Sequence, residues 1–238
     1  MLLTADDPMK TAVHDNFLDH VTWHALGQMQ KHLSIGTASA RRYAPGLPPI
    51  IAFADPARAD FAALAPYCQP GEHFYCDGWT GAPPAGWQID LDSSMFRMVW
   101  DRALPARDEA PEAVRLGPEH VSDALELTEL THPGPFGPRN LELGEYFGYF
   151  EGERLIAMAG ERMQAGQLRE ISGVCTHPDF QGRGHARRLM LKLIRRQMLR
   201  GEVPFLHVMR DNVGAHALYE RMGFVDYREC VVRVVSLA

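Results

Sequence analysis

Residues 170–186, EISGVCTHPDFQGRGHA, decide how this chain is read. An apolar strand passes through a His-Pro turn into a glycine-spaced loop, and the loop opens a basic amphipathic helix. Such a loop directs successive backbone N–H groups at one point, and the helix start adds the positive end of its dipole. Gly182 and Gly184 remove side chains that would hold a phosphate at a distance, and Ala186 is nearly as small. From Phe180 to Gly201 every charged side chain is cationic: Arg183, Arg187, Arg188, Lys192, Arg195, Arg196 and Arg200. An anion bound at this helix start is the first expectation.

Two familiar phosphate loops fail on the residues. The dinucleotide fingerprint needs a third small residue and an acid at a strand end about 20 positions further on. Here Arg187 stands at the third position, and Glu202 precedes the next strand instead of ending it. The P-loop pattern G-x-x-x-x-G-K-[ST] is absent from the chain.

Composition narrows the class. With 238 residues, 46% of them apolar, the chain can bury one large core or two small ones. A net charge of −6 argues against nucleic acid as a main partner and suits a cationic acceptor such as an amine. Cys68, Cys76, Cys175 and Cys230 are too few and too scattered for a disulfide framework. Cys68, His73 and Cys76 lack the paired C-x-x-C spacing of a structural metal site, so no metal is expected. No apolar run approaches the ~18 residues of a membrane span. Asp6 and Asp7 stand where a leader peptide needs basic and then apolar residues. The expectation is a cytoplasmic protein with no membrane partner.

Residues 104–111, LPARDEAP, form the best boundary, giving an N-terminal α/β half over 1–108 and a second unit over 109–238. In the first half, Phe17, Leu18, Val21, Leu26, Met29 and Leu33 recur at helical spacing, with Asp15 or Asn16 available as a cap. Residues 49–54, 74–76 and 95–100 read as strands, and 56–67 as a short helix, without a phosphate loop. In the second half, strands are expected over 113–116, 146–150, 154–163, 168–176, 203–209 and 227–235. Helices are expected from about 118 to 130, from 182 to 200, and from the Asn212 cap to the terminating Gly223.

The string Gln181-x-x-Gly184-x-Ala186 resembles the Q/R-x-x-G-x-G/A pyrophosphate loop of the Gcn5-related N-acetyltransferases, the GNAT superfamily. Residues 211–224, DNVGAHALYERMGF, are similar to that family's N-x-x-A-x-x-L-Y-x-x-x-G-F helix, in the same order along the chain. The FR47-like bacterial branch is the nearest likeness, through residues 169–189 and PFLHV at 204–208. The resemblance covers about residues 110–238. It implies an α/β (α+β) acyl-CoA acyltransferase fold, with a mixed, mostly antiparallel sheet whose central strands splay. The smaller N-terminal half is then either a degenerate copy without a coenzyme site or an unrelated cap.

The same resemblance implies acetyl-CoA as donor and a primary amine of a small molecule or peptide as acceptor. Attack is direct, within a ternary complex. Main-chain groups of Val174, Cys175 and Thr176 would meet the pantetheine arm, with Gly173 allowing a bulge and a nearby N–H polarising the thioester. Gln181, Gly182, Arg183, Gly184, His185, Ala186 and Arg187 would hold the pyrophosphate, and Asn212 would bond the coenzyme while capping its helix.

An alkylamine is mostly protonated at neutral pH, so a base is needed. Glu170, eleven positions before Gln181, matches the spacing of the family's glutamate base, although it could simply pair with a cation. Strict alternation would put it on one face with Ser172 and Val174 and turn Cys175 away. Glu161 is the substitute base. His207 is either a further titrating group or a hydrogen-bonded core histidine. Tyr219 matches the tyrosine that often protonates the leaving thiolate, or is a packed aromatic. Phe136 and Arg139, in the proline- and glycine-rich stretch 131–139, are candidate acceptor contacts or parts of a stiff connector. Two other functions compete: a non-catalytic acyl-CoA-binding regulatory module, and transfer of longer acyl chains or transfer to a hydroxyl. Oligomeric state is not legible.

Overall fold

A computed structural model describes residues 17–238. Asp15, Asn16 and the Met1–Pro8 stretch lie outside the described residues. Helix α1 (Val21–His24) runs on through a π turn over Ala25–Met29 and a 3₁₀ turn over Lys31–Leu33. Then follow β1 (Ser34–Gly36), β2 (Ala40–Tyr43), β3 (Ile50–Phe53), α2 (Phe61–Leu64), β4 (His73–Asp77) and β5 (Trp87–Trp100). The second half contains β6 (Val114–Arg115), α3 (Val121–Thr131), β7 (Tyr146–Glu151), β8 (Arg154–Ala165) and β9 (Leu168–Thr176). It closes with α4 (His185–Leu199), β10 (Val203–Met209), α5 (Val213–Met222) and β11 (Phe224–Leu237).

The single helix expected over 56–67 is broken into short turns, and its residues say why. Asp55 caps Ala57 and Asp60 caps Ala63, so two starts compete, and Pro66 opens the last 3₁₀ turn. Strand β5 begins at Trp87, well before the expected Met95. Gln88, Asp90 and Asp92 hide the earlier part from a hydrophobic pattern, yet the strand is paired along its length with β11 from Trp87↔Leu237 to Trp100↔Phe224.

The eleven strands of the described residues form one sheet, in the order β1-β2-β3-β4-β11-β5-β10-β9-β8-β7-β6. Only β3·β4 and β9·β10 are parallel; the other neighbours are antiparallel. Apart from the short β6, the order is palindromic about the β11–β5 pair. Strand β5, which ends the first half, lies against β10 of the second. Strand β11, which ends the second half, lies against β4 of the first. The two halves therefore exchange their last strands.

Helix α4 buries Leu189, Met190, Leu193 and Ile194 against one sheet face, with Phe147, Ile156, Ile171 and Leu206. On the opposite face α3 covers Tyr146, Met158 and Cys175 through Ala124 and Leu127. The α1 segment seals a third cluster through Val21, Ala25 and Leu26, against Tyr43, Met163 and Phe205. No helix among the described residues is long and apolar enough to cross a membrane.

Candidate active site

The parallel register of β9 and β10 runs only from Leu168↔Val203 to Glu170↔Phe205. Beyond that point the strands part. On its other edge β9 stays paired with β8 through Ser172↔Gly160, Cys175↔Met158 and Thr176↔Ala157. The β10-facing N–H and C=O groups of residues 171–175 thus lack a neighbouring strand and can bond an extended ligand, while the Thr176 carbonyl accepts from Gln181 Nε2 at 3.3 Å. A cleft of about 310 Å³ opens there. Its lining includes Ser172, Gly173, Val174, His207, Asn212 and Tyr219 from the second half. Thr22, Ile50, Tyr75, Asp77, Leu91 and Met95 of the first half complete it.

Gly173 sits in a bulge. Its φ is +61°, and the register with β8 slips between Met158 and Gly160. A side chain here would be strained, and its Cβ would come within 3.2 Å of the Tyr146 ring. The bulge also corrects the face assignment that alternation suggests. Ser172 and Cys175 oppose Gly160 and Met158, so Cys175 shares Glu170's face and is packed under α3. Val174 instead packs toward α4. Burial pushes the Cys175 thiol up to about 11, which leaves it a poor acyl carrier.

The loop after β9 has the form the sequence suggests. Gly182 and Gly184 take φ values of +74° and +77°, and nothing lies within 4 Å of a Cβ built on either. Gly184 is the N-cap of α4 and offers no capping side chain. The first intrahelical bond runs from Arg188 N–H to Gly184 C=O. The N–H groups of His185, Ala186 and Arg187 precede it and are the donors a helix start leaves over. His185 Nδ1 is buried without a partner, and burial together with Arg183 and Arg188 lowers the ring's pKa. Gln181, Arg183 and Arg187 are exposed. Arg183 rests over the Phe180 ring and donates to the Asp179 carbonyl at 3.3 Å; open glycines, uncapped donors, an orphaned ring nitrogen and two exposed cations fit a diphosphate. Arg188 is otherwise engaged, with Glu112 at 2.5 Å and the Glu109 carbonyl at 2.8 Å.

The first half offers a contrast at the equivalent place. Strands β3 and β4 also part after a short parallel register, and a cleft of about 270 Å³ follows. There Asp55 accepts the Ala57 N–H at 3.0 Å, so a carboxylate stands where an anion would have to bind. Among its described residues that half shows no phosphate cradle.

The expected acid–base residues fall into two groups. Tyr219 lines the cleft, and burial with the nearby Cys175 pushes its hydroxyl up to about 12. It is therefore protonated at neutral pH and able to donate. Asn212 accepts the Ala215 N–H at 3.2 Å, fulfilling the cap, and also faces the cleft.

Glu170 does not line the cleft. It is fully buried, held bidentately by Arg162 at 2.6 and 2.9 Å and by His207 Nδ1 at 2.7 Å. Burial alone would raise its pKa. The Arg162 charge, the Arg162 hydrogen bonds and the His207 contact outweigh that and hold the carboxyl well below the usual carboxylate range. A group so placed is a poor proton acceptor.

His207 lines the cleft but has no free lone pair. Arg97 Nε donates to its Nε2 at 2.9 Å, so Nδ1 carries the proton that Glu170 accepts. Burial first, then the Arg97 and Arg162 charges, lower its pKa against the pull of Glu170, and the ring is neutral. Glu161 faces the α4 side of the sheet, taken up by Arg200, by Gln197 at 3.1 Å and by the Glu145 N–H at 3.0 Å. Arg139 also turns away from the cleft, toward Glu142 at 2.7 Å and the Pro45 carbonyl. Phe136 stands beside the cleft in an adjoining hollow with Tyr75 and His132.

Sequence reasoning missed Asp77, Arg97 and His132. His132, at the end of α3, has φ +48°, the one positive value at a non-glycine among the described residues, and lines both hollows. Its position within the proline- and glycine-rich stretch 131–139 was the available signal. Arg97 and Asp77 gave none, because their roles depend on the strand exchange.

Known proteins share this chain's sequence pattern and fold. The model of the Acetyltransferase (GNAT) family matches residues 118–224. The N-alpha-acetyltransferase RimI of Mycobacterium tuberculosis is 33% identical over 128 residues, spanning 48% of this chain and 79% of its own. A solved GNAT-family acetyltransferase structure from Novosphingobium aromaticivorans shares 35% identity at a TM-score of 0.85, over 93% of this chain and 98% of that one. A GCN5-related N-acetyltransferase-like protein from Streptococcus suis shares the fold alone, with TM-score 0.61 and 13% identity over 94% of this chain and 99% of its own. Splayed strands, an uncapped glycine loop and a relative matched from end to end lead to one assignment: this chain is an acyltransferase enzyme belonging to the GNAT acetyltransferase family, whose members take their acyl group from acetyl-CoA.

Proposed function

We propose that this enzyme moves the acetyl group of acetyl-CoA directly to a primary amine of a small molecule or peptide. The observation that carries the reading is the end of β9–β10 pairing at Glu170–Phe205, on a strand that leads into an uncapped glycine loop. One strand edge is left for the pantetheine amides and one helix start for the diphosphate. Gln181 to Arg187 hold the phosphates, Val174 to Thr176 meet the arm, and Asn212 borders it. Bound there, the coenzyme supplies the activated acyl group.

The ammonium gives one proton to solvent water and becomes a nucleophile. Its nitrogen bonds the acyl carbon, the carbon–sulfur bond breaks, and Tyr219 protonates the departing sulfur and regains a proton from the new amide nitrogen. Glu170 is assigned a positioning role: it neutralises Arg162 and fixes the tautomer of His207, instead of taking the amine's proton. The relative from Mycobacterium tuberculosis is named for N-alpha-acetylation, so peptide N-termini belong among the acceptors to be tried.

The test has two measurements on the full chain: calorimetric affinity for coenzyme A, and thiol release from acetyl-CoA across a library of amines and peptides. Binding with amine-dependent release supports the proposal. Binding without release for any acceptor would indicate a regulatory acyl-CoA-binding module, and absence of binding overturns the whole site.

A further inference from the structure

The cleft contains a single carboxylate among its described lining residues, and it comes from the first half of the chain. Asp77 ends β4, two strands away from β5 across β11. Register places Asp77 opposite Val232, Val232 opposite Ser93, Arg97 opposite His207, and Met95 opposite Met209. Opposed residues share a face, so Asp77, Arg97 and His207 all project to the cleft side of the sheet.

Arg97, 1% exposed, joins them. Its Nε donates to His207 Nε2 at 2.9 Å and its Nη2 to Asp77 Oδ2 at 2.8 Å, while Nη1 reaches the Leu18 carbonyl. Nε and Nη2 lie on one edge of the planar guanidinium, so one cation holds the imidazole and the carboxylate side by side. Asp77 is thereby fixed where the cleft meets the hollow of the first half, lining both, with Oδ1 left for another donor. Ile50, Met95 and Val232 give the cleft apolar walls, beside the polar Thr22 and Tyr75. A carboxylate in such walls binds a cation far more firmly than one in open solvent.

We infer that Asp77 is the acceptor-binding residue: it docks the ammonium form of the amine. The first half of the chain then selects the acceptor while the second half holds the donor. This rests on the acetyl-transfer reading above and extends it to the substrate class, a cationic amine in preference to a neutral amine or an alcohol.

The experiment compares wild type with Asp77→Asn, using ethylamine and longer primary alkylamines as cations and 2,2,2-trifluoroethylamine as an amine that is neutral at the assay pH. Acetyl-CoA affinity is measured separately by calorimetry. Asp77→Asn should raise KM for the cationic amines by about 10- to 100-fold, the usual worth of a hydrogen bond to a charged group. KM for trifluoroethylamine and the affinity for acetyl-CoA should stay at wild-type values. Because Asp77 pairs with a buried arginine, a second variant leaves that pair intact. Leu91→Lys, at a cleft position 45% exposed, adds a rival cation and should raise the same KM values selectively.

Equal losses for charged and neutral amines in both variants would show a merely structural role and overturn the inference, as would unchanged KM for the cations. Failure of every cationic amine to release thiol from bound acetyl-CoA also overturns it. Loss of acetyl-CoA binding in the wild type would instead sink the underlying reading.

Discussion

Replacing Glu170 with Gln separates a positioning role from a catalytic one. The carboxylate is 0% exposed and carries two hydrogen bonds from Arg162 and one from His207. Gln keeps the shape and removes the charge, leaving the Arg162 guanidinium buried without its counter-ion. Breaking one side of such a pair costs about 3–5 kcal/mol. A chain of this length shifts its melting temperature by about 2–4 °C per kcal/mol, so a fall of roughly 6–20 °C is expected. Replacing Arg162 with Met in the same molecule removes the stranded cation and should recover most of the loss, because paired charges exchanged together for neutral groups are often near neutral in stability.

Acid stability supplies a second readout. A carboxyl with a depressed folded pKa stabilises fully above its unfolded value of about 4.3 and loses that contribution as pH falls toward the lower folded value. Wild type should therefore weaken below about pH 4 through this group, and the Glu170→Gln variant should lack that component. Urea denaturation from pH 3 to 8, alongside turnover at saturating substrates, measures both effects. A variant that melts like wild type yet loses turnover by about 100-fold would make Glu170 the proton acceptor and refute the argument.

Other expectations follow from the same site. Tyr219→Phe should lower kcat by about 10²- to 10⁴-fold with coenzyme affinity unchanged; with the hydroxyl held up at about 12, Tyr219 should contribute no basic limb to the pH–rate profile below pH 10. Gly184→Ala forces an L side chain into a φ of +77°. It should lower stability by about 1 kcal/mol in chemical denaturation and raise the coenzyme A Kd by about tenfold in calorimetry. Residues 109–238 expressed alone lack the strand that lies between β10 and β11, and should show no cooperative melt; a sharp thermal transition in that fragment would contradict the exchange.

Much of the second half was legible because its signals are local. The bounds of β9 and β10, the Asn212 cap and the Gly223 terminus match the pattern residue by residue, since alternation, capping and glycine chemistry act over a few positions. The bulge at Gly173 was legible as a permission, yet its consequence was not: one inserted residue carried Cys175 to Glu170's face and Val174 to the other. The partners of Glu170 were illegible for a different reason. Arg162 is eight residues away and His207 thirty-seven, and only the sheet register brings them to one point. The first half was read least well. Short β2 carries Arg41 and Arg42, whose partners, Ser34 and Glu72, lie elsewhere in the chain. The polar part of β5 is held by its pairing with β11, whatever its composition.

The exchange of β5 and β11 has a consequence for synthesis and inheritance. During translation the edge of β4 stays unpaired until β11 emerges, so the first half is not closed before the second has been made. Recombination that moved residues 109–238 into another gene would leave β5, the strand lying between β10 and β11, behind.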